Sequence, residues 1–128
     1  MISNRILQTT VEGLKAISRV DLCIVDADKN VAAKTFDNVS ECLADAISFI
    51  DSPAESQAVN GFQFFKVEDE GNLEYIIMAR GTSDDVYMVG KLAAFQIQNL
   101  LVAYKERFDK DNFIKNLLLD NLLLVDIF

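Results

Sequence analysis

Apolar residues recur at helical or strand spacing along most of the chain, and this pattern predicts an order of elements. After Ser3 the apolar positions fall every three or four residues, which predicts a first helix over residues 3–19. Two short apolar runs follow at residues 22–25 and 31–35, separated by Asp and Asn residues that favour a turn. The chain is therefore expected to form a β-hairpin directly after the first helix.

The middle of the chain predicts two further helices and a second hairpin. Residues 38–41 read Asn-Val-Ser-Glu, a capping box that begins a second helix. Ser52 followed by Pro53 repeats a helix-start signal and predicts a short third helix. Two strands are then expected at residues 62–67 and 73–79, with an acidic turn between them.

A helix over residues 83–108 is the longest predicted element, and it is apolar on two sides. One stripe contains Val86, Ala93, Ile97, Leu100, Tyr104 and Phe108. A second stripe contains Leu92, Phe95 and Val102. A helix with so wide an apolar surface must be buried on two sides. We expect one side to cover the sheet and the other to contact a second copy of the chain, which makes a homodimer through helix 83–108.

Two irregularities interrupt this helical pattern. Gly90 costs about 1 kcal/mol relative to Ala inside a helix, so it either permits close packing or marks a last strand at residues 86–89. The apolar stripe also breaks over the polar residues 109–112. A new stripe then contains Phe113, Leu117, Leu124 and Phe128. The break predicts a kink, or a fresh helix that begins at Asp111.

The order of helix, hairpin, helices, hairpin and long helix predicts an α+β domain. Consecutive strands usually pair, so the two hairpins are expected to join in one antiparallel sheet flanked by helices, with long helices at both ends of the chain. This plan resembles that of the PAS and GAF sensory folds.

Composition narrows the class of function. The 128 residues are 51% hydrophobic, which is typical of one globular domain. A formal net charge of −8 opposes binding to nucleic acid or to anionic membranes. The sequence contains no His, the commonest general base and metal ligand. We therefore expect no enzymatic activity, no metal and no cofactor.

The cysteines and the amino terminus indicate a reducing compartment. Cys23 and Cys42 have apolar neighbours, which predicts buried free thiols. No apolar run approaches the length of a membrane span, and no secretory signal is visible. A cytoplasmic location is the expectation, with no membrane partner.

The carboxyl-terminal part of the chain resembles a known family. Residues 91–104 read KLAAFQIQNLLVAY and residues 105–128 read KERFDKDNFIKNLLLDNLLLVDIF. Together they resemble the junction in bacterial transcription regulators of the sugar-diacid and purine-catabolism type. In that family an N-terminal sensory domain ends in a long helix, and a DNA-binding helix-turn-helix lies at the far carboxyl terminus. The resemblance implies a PAS/GAF-like sensory domain over residues 1–110, with residues 111–128 as the start of a linker helix to a downstream region.

The resemblance implies a signal-sensing and dimerisation domain that acts in transcription regulation. Such a domain would bind a small-molecule effector, for which a carboxylate is one candidate, and relay the change through its long helix. Because this chain has no helix-turn-helix region, no direct contact with nucleic acid is expected from it. The alternative is a ligand-free interaction scaffold similar to the roadblock-like dimers. A buried cavity with a convergent polar group would favour sensing, whereas a filled core would favour scaffolding.

Arg80 is the first of five candidate ligand-binding residues. It ends an otherwise apolar strand and by alternation shares a face with Ile76 and Met78, where its guanidinium can pair with a carboxylate. The other four candidates are Lys34, Gln63, Tyr75 and Met78. The alternative is that Arg80 lies in solvent and pairs with Asp84 or Asp85.

Three further groups have a structural and a chemical interpretation. The acidic turn at residues 68–70, with Asp26 and Asp28, either holds a divalent cation or is a solvated turn, which is the expectation. An aromatic set either walls a small-molecule site or forms plain core, and it comprises Phe62, Phe64, Phe65 and Tyr75. Cys23 is either a redox sensor or, as expected, an inert core thiol.

Overall fold

The computed structural model describes residues 2–127, except for the side chains at positions 41, 108, 109, 111–113 and 116–127. Over these residues the chain forms three helices and five strands. Their order is α1 (Asn4–Ser18), β1 (Asp21–Asp26), β2 (Val31–Lys34), α2 (Ser40–Ile50), β3 (Ser56–Val59), β4 (Phe62–Asp69), β5 (Asn72–Arg80) and α3 (Val86–Ile127).

The five strands form one antiparallel sheet in the order β2-β1-β5-β4-β3. The two predicted hairpins meet where β1 pairs with β5, so that Leu22 lies opposite Ala79 and Val25 opposite Ile76. The prediction of an α+β domain with an antiparallel sheet is therefore confirmed.

The fifth strand, β3, replaces the predicted short third helix, and that prediction was wrong. The Ser52 hydroxyl accepts a hydrogen bond from the Ala54 N–H, and the Ser52 N–H donates to the Phe49 carbonyl. Ser52 and Pro53 thus close a turn after α2 instead of beginning a helix. The chain then pairs along β4, with Ser56 opposite Phe65.

The sequence predicted the start of α1 correctly but not the start of α2. The Ser3 hydroxyl accepts a hydrogen bond from the Ile6 N–H at 3.3 Å, which confirms Ser3 as the cap of α1. Helix α2 begins at Ser40 with Val39 at the cap position and no side-chain cap, so the Asn38 cap was wrong. Val39 is only 5% exposed and belongs to the core under α2.

Helix α3 is continuous from Val86 to Ile127. Its 42 residues correspond to a length of about 63 Å. A strand at residues 86–89 and a fresh helix at Asp111 were therefore both wrong. The predicted stripe at Phe113, Leu117, Leu124 and Phe128 consists of side chains outside the described set.

The sheet is covered on both sides by apolar side chains. On the first side, α1 and α3 pack against residues that include Leu22, Ile24, Phe65, Ile77 and Ala79. On the second side, α2 packs against residues that include Cys23, Phe64, Ile76 and Met78. The near-continuous burial of β5 follows, because its residues alternate between two filled cores.

Gly90 lets α3 lie close to the sheet. A Cβ atom at this position would lie 2.4 Å from Cε2 of Phe65 and 3.0 Å from Cβ of Ala79. The interpretation of Gly90 as a close-packing position is thus the one that the structure supports.

Candidate functional site: the Asp21 corner and the outer face of α3

The five predicted ligand-binding side chains lie on two sides of the sheet. Those on the α2 side are Lys34, Met78 and Arg80. Those on the side of α1 and α3 are Gln63 and Tyr75. A sheet separates the two groups, so the five residues cannot line one cavity.

Arg80 is held by contacts within the domain. Its guanidinium carbon lies 4.3 Å from the centroid of the Phe36 ring, which is a cation–π contact. Its Nη2 lies 3.5 Å from Oδ2 of Asp21, on the neighbouring strand. Arg80 does share the face predicted by alternation, but its acidic partner is Asp21 instead of Asp84 or Asp85.

Asp21 is the centre of a polar corner where α1, β1, β2 and β5 meet. Lys15 Nζ donates to Asp21 Oδ1 at 2.5 Å, and the Thr35 hydroxyl donates to the same oxygen at 3.0 Å. Burial alone would raise the pKa of Asp21, but the hydrogen bonds from Lys15, Thr35 and Arg80 outweigh it and lower the pKa below 3.8. The corner therefore works as a structural tie among four elements.

An open cleft of about 560 Å³ adjoins this corner, between α1 and β2. Its lining includes Lys15, Arg19 and Lys34 together with the acidic Glu12 and Asp37. Within the described part of the chain, the buried side chains are all apolar. The cleft thus offers charged groups of both signs at the surface, and the described cores hold no convergent buried polar group.

The acidic turn between β4 and β5 contacts α3. Lys105 Nζ lies 2.7 Å from Oε1 of Glu70 and 3.6 Å from Oδ2 of Asp69. The hydrogen bond from Lys105 lowers the pKa of Glu70 below its ordinary value. Leu101 is the last described residue of α3 that is buried, so this contact lies where the helix leaves the body of the domain.

The other acidic turn is closed by hydrogen bonds to the side chain of Asp26. Asp26 Oδ1 accepts hydrogen bonds from the N–H groups of Asp28 and Asn30, both at 2.9 Å. Among the side chains that the structure describes, no group of three or more His, Cys, Asp or Glu could hold a metal ion. Asp26 therefore acts as a turn-forming residue.

Cys23 and Cys42 both lie buried in the core under α2, so their predicted burial is confirmed. Burial raises the pKa of Cys23 to about 12, with a further increase from Cys42 and an opposing effect of Lys34. A thiol with so high a pKa is protonated and unreactive at neutral pH. Cys23 is accordingly a core residue.

The aromatic set is divided between the two cores. Phe62 and Phe64 stack under α2 with ring centroids 6.2 Å apart. Phe65 and Tyr75 belong to the core under α1 and α3, where Phe65 contacts the Tyr87 ring at 5.4 Å. All four predicted aromatic residues are at most 8% exposed, so they form core on both sides of the sheet.

Several exposed apolar side chains lie together on α3. The side of α3 that packs on the sheet, its inner face, comprises Val86, Val89, Ala93, Ile97 and Leu101, which are 0–7% exposed. The opposite side, its outer face, comprises Met88, Leu92, Phe95, Asn99 and Val102. The four apolar members of the outer face are 45–65% exposed. The second stripe predicted from the sequence, at Leu92, Phe95 and Val102, supplies three of the five members of this outer face.

The outer face borders an open groove of about 440 Å³. The groove is lined by Tyr87, Met88, Lys91, Leu92 and Phe95. Sequence reasoning did not include Met88 and Tyr87 in the apolar surface. Met88 lies four residues before Leu92, and this helical spacing was the signal that identifies it. Such a groove suits an apolar side of another helix.

Part of α3 also has the length and composition of a membrane span, contrary to the sequence expectation. The segment Val86–Arg107 has a mean hydropathy of 1.2, and 33% of it is buried inside the domain. Ala93 and Ile97 pack on the sheet within this segment. Because a helix that covers a sheet has the same composition, this property is weak evidence for a membrane.

Comparisons with known proteins do not identify a family. No family model matches the chain, and no curated protein sequence matches it. The case for a function therefore depends on the geometry of α3 and on the polar corner beside α1.

Proposed function

We propose that this domain is a dimerisation and relay module of a cytoplasmic transcription regulator. In this proposal the outer face of α3 joins two copies of the chain, and α3 carries the relative arrangement of the two domains onward. The resemblance to regulators of the sugar-diacid and purine-catabolism type supports the regulatory context, since it covers residues of the same helix.

The exposure of the outer face of α3 carries this proposal. Met88, Leu92 and Phe95 are 55%, 53% and 65% exposed, and they are neighbours on one surface. Large apolar side chains that are contiguous and exposed mark interaction surfaces in soluble domains. A second copy supplies an equally apolar partner, since most homo-oligomers pair the same surface on both subunits.

The filled cores favour protein interaction over ligand sensing inside the sheet. Phe64, Ile76 and Met78 fill the α2 side at 0% exposure, and Leu22, Ile24 and Ile77 fill the other side at 0%. A sheet with helices on both faces is compatible with a PAS/GAF-like identity and with a roadblock-like one. By the criterion of the filled core, the module acts as a ligand-free dimerisation scaffold within the regulator, without a sensing pocket inside the sheet.

Sensing of a small molecule is the second candidate function, and the cleft between α1 and β2 is its proposed location. Lys34, one of the predicted ligand-binding residues, lines this cleft beside Lys15 and Arg19. A thermal-shift screen of dicarboxylates, sugar acids and purine metabolites tests it, because binding to the folded state raises the melting temperature. Loss of a shift in Lys34→Ala would assign the ligand to this cleft.

Sedimentation velocity over a range of protein concentrations tests the dimerisation proposal. The native chain is expected to convert from monomer to dimer as its concentration rises. Phe95→Lys should raise the dimer Kd by about a hundredfold or more, because two ammonium groups would have to lose water at the interface. Phe95 is 65% exposed, so the monomer should fold normally.

Ile17→Lys is the matched control. Ile17 is an 86% exposed apolar residue on α1, outside the outer face of α3, and its replacement should leave the dimer Kd unchanged. A native chain that stays monomeric at all concentrations would contradict the proposal. Equal effects of the two substitutions would also contradict it, since they would place the interface elsewhere.

A further inference from the structure

The outer face of α3 has the spacing of a coiled-coil seam. Its members, Met88, Leu92, Phe95, Asn99 and Val102, follow one another at intervals of four, three, four and three residues. This alternation is the heptad pattern, in which Leu92 and Asn99 take the a positions and the other three take the d positions. All five side chains are exposed in the single chain.

The sheet-facing side of α3 lies opposite the seam. In this heptad register, Gly90 and Ile97 take the f positions, opposite the seam. Gly90 lies against Phe65, and Ile97 is 0% exposed in the core. The seam therefore lies on the side of α3 away from the core, where a second helix can approach it.

Asn99 is the one polar member of the seam and decides between two orientations. When two helices lie parallel and in register, each Asn99 faces the other, and the two amides can hydrogen-bond. In an antiparallel pair each a residue faces a d residue, so in a pair centred between Leu92 and Phe95 each Asn99 would face Met88 and bury an unpaired amide, which is unfavourable. A single Asn at an a position fixes register and favours a two-stranded pair.

The seam has a defined end. The next a position after Asn99 is Glu106, which is exposed. In a parallel pair the two Glu106 carboxylates would face each other and repel, as like charges do at close spacing on helices. The apolar contact therefore covers residues 88–102, a length of about 22 Å.

We propose that the outer face of α3 pairs with the same face of a second copy, parallel and in register, with Asn99 opposite Asn99. This inference rests on the proposed dimerisation through α3 and specifies its geometry. The self-complementary amide is what selects a second copy as the occupant. In such a pair the two α3 helices leave their domains in the same direction, so a shift at the seam moves both continuations together.

Disulfide cross-linking tests the orientation. In a parallel, in-register dimer, Asn99→Cys places two thiols opposite each other, and mild oxidation should link them at least about tenfold faster than a chance encounter. Ile17→Cys, exposed on α1 and away from the seam, gives the rate of chance encounters. The native Cys23 and Cys42 are buried and should not react.

A mixture of Met88→Cys and Asn99→Cys chains separates the alternatives. Linkage between the two variants, with no self-linkage of Asn99→Cys, would show an antiparallel pair; this would overturn the inference while dimerisation through α3 stands. A self-linkage rate of Asn99→Cys equal to that of Ile17→Cys, in a chain that still sediments as a dimer, would overturn the inference as well. A chain that sediments as a monomer would overturn both proposals.

Asn99→Leu provides an independent readout. Removing the polar a residue should lower the dimer Kd by about tenfold or more, because a polar seam residue reduces stability. The same substitution should relax orientation, so that Leu92→Cys chains link to Val102→Cys chains, two positions that a parallel, in-register pair keeps about 15 Å apart. A weaker dimer in Asn99→Leu would contradict the pairing of the two amides at the seam.

Discussion

The inner and outer faces of α3 are built from similar amino acids and have opposite environments. Ile97, at the centre of the inner face, is 0% exposed, whereas Phe95, two residues earlier, is 65% exposed. Both faces look apolar in the sequence. Only the position of the sheet distinguishes the residues that hold the fold from those available to a partner.

This difference separates two kinds of energetic contribution. The inner face contributes to the free energy of unfolding, because its apolar area leaves water whenever the chain folds. The outer face contributes only when a partner covers it. Substitutions on the two faces should therefore change different measurements, and the predictions that follow run from the largest expected effect to the smallest.

Truncation of one residue on each face should have very different effects on unfolding. Ile97→Ala should lower the free energy of unfolding by about 3 kcal/mol, since it leaves a cavity in the core. Leu92→Ala should change it by less than about 0.5 kcal/mol in the monomer, since Leu92 is 53% exposed. Urea denaturation at a protein concentration below the dimer Kd provides the measurement. Equal losses would mean that the outer face is covered within the chain.

The same substitution at two glycines should have opposite signs. Gly90→Ala adds a Cβ 2.4 Å from Phe65 Cε2, and despite the better helix propensity it should cost about 1–3 kcal/mol. Gly13→Ala, on the exposed side of α1, meets nothing within 4 Å and should stabilise the domain by about 0.5–1 kcal/mol. Thermal or urea unfolding of both variants gives the comparison. Stabilisation by Gly90→Ala would contradict the close approach of α3 to the sheet.

The smallest effect is expected where the inner face ends, at the contact of Lys105 with Asp69 and Glu70. Lys105→Glu should speed amide hydrogen exchange in residues 102–107 and leave exchange at Ile97 unchanged, because exposed ion pairs are weak.

The same contact should depend on pH. The pKa of Glu70 is lowered in the folded chain, so its contact contributes stability above the unfolded value of 4.5 and loses it as the pH falls through the folded value. Exchange in residues 102–107, corrected for its intrinsic pH dependence, should therefore rise at acid pH in the native chain and change less in Glu70→Gln. A response centred at neutral pH would contradict this assignment.

The sequence was sufficient for elements whose own pattern determines them. The Ser3 cap, the two hairpins and the stripe on α3 follow from local spacing and turn residues. β3 was missed because it is an edge strand of four residues, Ser56–Val59, none of which is fully buried. Such a strand has no apolar run that would reveal it in the sequence. The start of α2 was misplaced because the local pattern placed the cap at Asn38, whereas the buried Val39 occupies the cap position.

The site was harder to predict because its contacts join distant parts of the chain. Alternation placed Arg80 on the correct face, but its partner Asp21 lies 59 residues away and becomes a neighbour only when β1 pairs with β5. Gln63 and Tyr75 were grouped with Arg80 although they face the opposite side of the sheet. On α3, spacing predicted two apolar faces, and the packing of the sheet decides which one remains exposed.

Two methionines allow the most direct test of the claim that a second copy covers the outer face of α3. Met88 on the outer face is 55% exposed, whereas Met78 in the α2-side core is 0% exposed. Oxidation by hydrogen peroxide, followed by mass spectrometry across a dilution series, measures how accessible each sulfur is. The account predicts fast oxidation of Met88 in dilute protein, several-fold slower oxidation in concentrated protein, and slow oxidation of Met78 throughout. A Met88 oxidation rate that does not change with protein concentration would contradict it.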